Sequence, residues 1–148
     1  SSSAIRTALS RADMAMARGL LGRGYTISGR VQQGDKRGGL LGFPTANLAP
    51  HRLFLPSYGV YAARVTLANG RKQNAVANLG VRPTVDGKKL LLESHLFDFS
   101  ADIYGQPITV ELVEFIRPEQ RFESVETLAA QILLDSEKSK AILSHSLV

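Results

Sequence analysis

Apolar residues Ile5, Leu9, Met16, Leu20 and Leu21 recur near a 3.6-residue period, which predicts a helical segment over 4–21. Asp13 can cap a second start within it, and Gly22 and Gly24 stop it. From Tyr25 the period changes to two. Tyr25, Ile27, Gly29 and Val31 alternate with polar neighbours, as do Tyr61, Ala63, Val65 and Leu67, and Ala75, Ala77, Leu79 and Val81. Ile108, Val110 and Leu112 continue the pattern, and then the apolar positions switch parity to Val113 and Phe115, as a β-bulge or a strand bend at a barrel corner would produce. Leu90–Phe99 reads as a strand that is more apolar throughout. Turn signals separate these runs at Gly34–Gly42, Asn69-Gly70, Asp86-Gly87 and Tyr104–Pro107, and Asn69-Gly70 is a two-residue hairpin signal. From Ser124, which can cap, to about Leu143 the pattern returns to helix, with Val125, Leu128, Ala129 and Ile132 as the expected buried stripe. The pattern therefore predicts five or six antiparallel strands curled into a small barrel, with a C-terminal helix packed on it.

Composition narrows the class. The 148 residues suit one domain, and 44% apolar content suits a packed core. No apolar run approaches the roughly 20 residues needed to cross a bilayer, and the start lacks the pattern of a signal peptide. With no cysteine, disulfides and thiolate metal sites are excluded, which fits a cytoplasmic protein. The net charge of +5 suggests a polyanionic partner, either nucleic acid or a phosphorylated ligand. The basic residues are scattered, however, and aromatics make up only 7%, whereas a nucleic-acid groove needs aromatic platforms between clustered cations.

Candidate chemistry gathers in three places. Between Gly34 and Gly42 the glycines Gly34, Gly38, Gly39 and Gly42 free the backbone to approach a ligand, so their amides can hold phosphate oxygens; a flexible hairpin loop is the plainer reading. Neither the G-x-x-x-x-G-K-[ST] nor the G-x-G-x-x-G spacing is present. Thr45 and Asn47 lie two apart, so an extended backbone points both to one side as neutral oxygen donors suited to Mg²⁺, or as turn-stabilising side chains after Pro44. Glu93 is a lone acid in the apolar run Leu90–Phe97, either a buried functional carboxylate or a solvent-facing one, and His95 shares its face. No Ser-His-Asp arrangement or nucleophile elbow supports a hydrolase.

Six segments, in order, carry a resemblance. Gly42-Phe43-Pro44-Thr45-Ala46-Asn47-Leu48, Tyr58-Gly59-Val60-Tyr61-Ala62, Asn78-Leu79-Gly80-Val81-Arg82-Pro83-Thr84, Glu93–Phe99, Asp102-Ile103-Tyr104-Gly105 and Phe115–Phe122 resemble the hallmark runs of riboflavin kinases. The resemblance covers roughly residues 23–140 and implies a mainly β fold: a six-stranded antiparallel Greek-key β-barrel with a C-terminal helix. It implies ATP-dependent phosphorylation of the riboflavin 5′-hydroxyl, giving FMN and ADP. Thr45 and Asn47 would hold Mg²⁺ and the ATP phosphates, the loop bearing Gly34, Gly38, Gly39 and Gly42 would close over the nucleotide, and Glu93 would be the general base. Tyr104 would border the nucleotide, and Arg117 and Arg121 would shape the flavin side.

Two positions depart from the family. Gly39 stands where bacterial relatives often carry a basic residue, and Gln33 where a His is frequent, so altered nucleotide affinity is expected before lost activity. Ser1–Arg6 resembles the end of the adenylyltransferase domain that precedes the kinase module in bifunctional bacterial riboflavin kinase/FAD synthetases. Residues 1–22 are accordingly expected to be the tail of that domain with a connecting helix, and 23–148 the kinase module, in a chain that does not make FAD. Two other classes compete: a nucleic-acid-binding OB-type barrel and a flavin-binding module without catalysis. The first lacks aromatic platforms, and the second has no need of Glu93, Thr45 and Asn47 together.

Overall fold

A computed structural model describes residues 1–33, 44–52 and 54–145. The glycine-rich candidates Gly34, Gly38, Gly39 and Gly42 lie outside the described residues. The predicted N-terminal helix is two helices, α1 (Ser2–Ser10) and α2 (Met14–Leu21). Asp13 caps α2, its carboxylate accepting from the Met16 amide at 3.0 Å. Ala8, Leu9, Met14 and Ala17 are buried in the same core as the barrel residues, so these helices are packed into the domain.

Six strands follow: β1 (Tyr25–Arg30), β2 (Ala46–Leu48), β3 (Gly59–Thr66), β4 (Lys72–Thr84), β5 (Gly87–Leu96) and β6 (Pro107–Pro118). They form one antiparallel sheet in the order β1-β6-β3-β4-β5-β2. The run β3-β4-β5 is a meander, and β6 returns to lie beside β3, which is the Greek-key connection. Just past β1, Gln32 bridges to Asn47 of β2, its amide donating to the Asn47 carbonyl at 2.8 Å, so the two edges of the curled sheet meet there. Alternation fills the interior with Tyr25, Ile27, Leu48, Tyr61, Ala63, Val65, Leu79, Leu92, Val110 and Leu112.

The β3–β4 hairpin occurs where Asn69-Gly70 predicted it, with a three-residue connection. Leu67 donates to the Arg71 carbonyl across Ala68-Asn69-Gly70, and Gly70 takes the left-handed conformation (φ 85°). The strand predicted to run to Phe99 ends at Leu96. The parity switch in β6 is a pair of register shifts against β3: Tyr61 faces Phe115 and Ala63 faces Leu112, so Ile116 and Val113 are the extra residues. The shift at Val113 turns Phe115 inward onto Tyr61, with ring centroids 5.2 Å apart and edge to face. The other brings Arg117, in place of Ile116, opposite Val60 on the outer face.

Helix α3 (Val125–His145) crosses the outer face of β3 and β4. Ser124 caps it as expected, its hydroxyl accepting from the Thr127 amide at 3.1 Å. The buried stripe differs from expectation. Val125 is 51% exposed, Leu128, Ala129 and Ile132 are half-buried, and the buried positions are Asp135, Ser136, Ser139 and Leu143. The reason is polar pairing at close approach: Ser139 Oγ donates to the Ala75 carbonyl at 2.7 Å, and Asp135 receives Arg117 from the sheet.

Candidate active site

Cross-strand register assembles the site. Asn47 of β2 is opposite Glu93 of β5, Glu93 is opposite Asn78 of β4, Asn78 is opposite Val60 of β3, and Val60 is opposite Arg117 of β6. Directly opposed residues share a face, so these five form one row across the outside of the barrel. At about 4.8 Å per strand, Asn47 and Asn78 flank Glu93 closely while Arg117 lies about 14 Å away.

Polar satisfaction along this row is incomplete. Three buried side-chain oxygens among the described residues have no hydrogen-bond partner: Asn47 Oδ1, Asn78 Oδ1 and Ser94 Oγ. Asn47 and Asn78 are the two neighbours of Glu93 in the row, whereas Ser94, opposite Ala46 and Ala77, lies on the inner face of β5. Buried acceptors without donors are costly, on the order of 1–3 kcal/mol each, and the two that flank the Glu93 carboxylate are suited to bonding a ligand there. Asn47 is 3% exposed, and its Nδ2 donates to Thr45 Oγ1 at 3.4 Å, so the hydroxyl and amide sit together as the two-residue spacing requires.

These donors fit a hard divalent cation. The free Asn47 oxygen and the Thr45 hydroxyl are neutral oxygen ligands of the kind Mg²⁺ accepts alongside phosphate and water. Among the described residues no group of three or more His, Asp or Glu side chains offers an alternative metal cage.

Glu93 is largely buried (16% of its side chain exposed) and held from one side, Arg82 Nε donating to its Oε1 at 2.8 Å. The same guanidinium reaches Glu119, with Nη1 at 3.3 Å from Oε2. Arg117 is paired away from the row's centre: its Nε and Nη2 grip the Asp135 carboxylate of α3 at 2.8–3.1 Å, and its guanidinium lies over Phe122. Arg121 is exposed and makes no hydrogen bond or ion pair among the described residues. Tyr104 is 60% exposed, in a turn whose Gly105 and Gln106 exchange backbone bonds with Val31, just before the glycine-rich stretch.

The structure thus brings Thr45, Asn47 and Glu93 together, sets Tyr104 beside the entry to the glycine stretch, and leaves Arg117 and Arg121 at the far end. Sequence reasoning assigned no role to Asn78, Arg82 or Glu119. Asn78 and Arg82 share the outward parity of β4, the one available signal, but register alone reveals which acid they meet.

An antiparallel Greek-key barrel carrying oxygen donors beside one oriented carboxylate is equipped to transfer a phosphoryl group to a hydroxyl, a reaction that asks for positioning and charge stabilisation. The chain belongs to the riboflavin kinase family, whose model matches residues 21–143. It is 50% identical over 144 residues to a bifunctional riboflavin kinase/FMN adenylyltransferase of Haemophilus influenzae, covering 97% of this chain and 47% of that protein. To the protein of the same name from Escherichia coli K12 it is 47% identical over 135 residues, or 91% of this chain and 43% of that one. The chain therefore spans about half the length of the curated relatives it matches. Among solved structures, one described as a macrolide-efflux protein from Streptococcus pneumoniae superposes with a TM-score of 0.86 at 35% identity, over 95% of this chain and 46% of that one. No helix among the described residues is long and apolar enough to cross a membrane. A riboflavin kinase from Trypanosoma brucei shares the fold, with a TM-score of 0.57 at 20% identity over 81% of this chain and 80% of that one.

Proposed function

We propose that this chain phosphorylates riboflavin at its ribityl 5′-hydroxyl, with ATP as donor and Mg²⁺ as cofactor, releasing FMN and ADP. The observation that carries this reading is the Asn47–Glu93–Asn78 row, with an amide oxygen on each side of the carboxylate that has no hydrogen-bond partner among the described residues. Thr45 Oγ1 and Asn47 Oδ1 would hold Mg²⁺, which when bound neutralises charge on the ATP phosphates. Arg82 engages Oε1 of Glu93, which leaves Oε2 to accept the proton of the 5′-hydroxyl. The 5′-oxygen then forms its bond to the terminal phosphorus as the bond to the ADP oxygen breaks, and ADP leaves with that electron pair. The Asn78 amide oxygen can accept from a ribityl hydroxyl alongside. Tyr104 and the amides of Gly34, Gly38, Gly39 and Gly42 would border the nucleotide, and Arg117 and Arg121 the flavin end.

In this reading residues 23–148 are the kinase module and 1–22 are the connection to a preceding adenylyltransferase domain, in a cytoplasmic enzyme that acts on neither nucleic acid nor membrane. Replacing Glu93 by Ala tests the assignment: riboflavin and nucleotide binding persist while turnover falls by about 100-fold or more. Near-normal turnover in that variant would remove Glu93 as the base.

A further inference from the structure

Arg82 does more than neutralise Glu93. Its guanidinium spans two carboxylates from distant parts of the chain: Nε bonds Glu93 Oε1 at 2.8 Å, and Nη1 lies 3.4 and 3.3 Å from the two oxygens of Glu119. Glu93 is on β5, whereas Glu119 is in the segment that leaves β6 directly after Arg117 and Pro118. Room for this bridge is made by Gly80, two residues before Arg82 on the same outer face. A Cβ built on Gly80 would overlap the Glu119 carboxylate, so Glu119 occupies the space that any side chain at 80 would fill. Arg82 and Glu93 keep about a quarter and a sixth of their side chains exposed, so the pair is shielded enough to fix geometry.

We infer that Arg82 is a positioning residue for phosphoryl transfer. It clamps the Glu93 carboxylate in a fixed rotamer and ties it, through Glu119 in the Gly80 notch, to the segment that carries Arg117 and Arg121. The inference rests on the reading of Glu93 as base and adds its mechanical support. A planar guanidinium holds two carboxylates at set angles, which a single ammonium cannot do. Misplacement of a reacting group by about 1 Å costs about 100-fold in rate, so loosening the clamp should appear in kcat.

The test is steady-state kinetics on the purified chain with riboflavin, ATP and Mg²⁺, with thermal unfolding of each variant run in parallel. Arg82→Ala is expected to lower kcat by about 100-fold with both KM values within about threefold, and Arg82→Lys to restore only part of it. Glu119→Gln and Gly80→Ala act on the other end. Each should lower kcat by a similar, smaller factor at unchanged melting temperature, since a Gly80 Cβ would displace only the end of the Glu119 side chain and no backbone. Wild-type kcat in Arg82→Ala, where Glu93→Ala is inactive, overturns the clamp and leaves the base standing. Full turnover in Glu93→Ala overturns the base itself. A raised KM for ATP at unchanged kcat in Arg82→Ala makes Arg82 a phosphate ligand and overturns the inference. Wild-type kcat in either Glu119→Gln or Gly80→Ala overturns the link to the β6 segment.

Discussion

Replacing Asp135 by Ala should loosen α3 from the barrel, and the structure gives the size of the effect. The Asp135 carboxylate is 6% exposed and accepts from Arg117 Nε and Nη2 and from Gln131 Nε2 at 2.8–3.1 Å. Removing it leaves the Arg117 guanidinium, 17% exposed, without its counter-charge. Breaking one side of a buried pair costs 3–5 kcal/mol, and the residual exposure of Arg117 argues for the lower end, about 3 kcal/mol. For a chain of this size each kcal/mol moves the melting temperature by about 2–4 °C, so a fall of about 6–12 °C is expected. Circular dichroism at the helix band during heating reads it directly. The orphaned charge is the origin of the loss, so replacing both partners by apolar residues, Arg117→Met with Asp135→Leu, should recover most of it. A fall of less than about 2 °C for Asp135→Ala would mean that the pair is solvent-screened, and would refute the latch.

Other consequences follow from the same geometry. Asn47→Ala should abolish the Mg²⁺ dependence of nucleotide affinity, because it removes the Oδ1 that has no hydrogen-bond partner among the described residues; titration of ATP with and without Mg²⁺ reads this. Gly59→Ala should prevent stable folding, since its φ of 152° disfavours a side chain and the Cβ would overlap the Arg117 carbonyl, with Phe115 Cε1 at 2.7 Å; soluble yield and circular dichroism check it. Stability should fall as pH rises above about 10, the ordinary tyrosine value. Burial raises Tyr61, aided by Tyr25, and burial raises Tyr25 against the lowering effect of Arg52. Both phenols therefore stay protonated in the fold where the unfolded chain ionises, and their contribution is lost as pH climbs through the raised values. Denaturant midpoints from pH 8 to 11 should show the decline, shallower in Tyr61→Phe.

Much of the fold is written in local periodicity. The change from a period of 3.6 to 2 at Tyr25, the glycine in the β3–β4 turn and the parity switch after Leu112 each report a feature that neighbouring residues determine. The stripe of α3 was not legible, because Ser136 and Ser139 are buried by hydrogen bonding and close approach and not by hydrophobicity. The site divides in the same way. Thr45 and Asn47 are neighbours in sequence and were found together. Asn78, Arg82 and Glu119 converge on Glu93 only through strand register and the course of the chain after β6. The ion pair that Arg117 makes with Asp135, in a helix 18 residues on, was not legible either.

Turnover tests the central claim most directly. The purified chain is incubated with riboflavin, ATP and Mg²⁺, and the flavins and nucleotides are separated by chromatography. The account predicts FMN with one ADP per FMN, and loss of product in Glu93→Ala. Absence of FMN from a folded chain that binds riboflavin would contradict it and leave a flavin-binding module without catalysis.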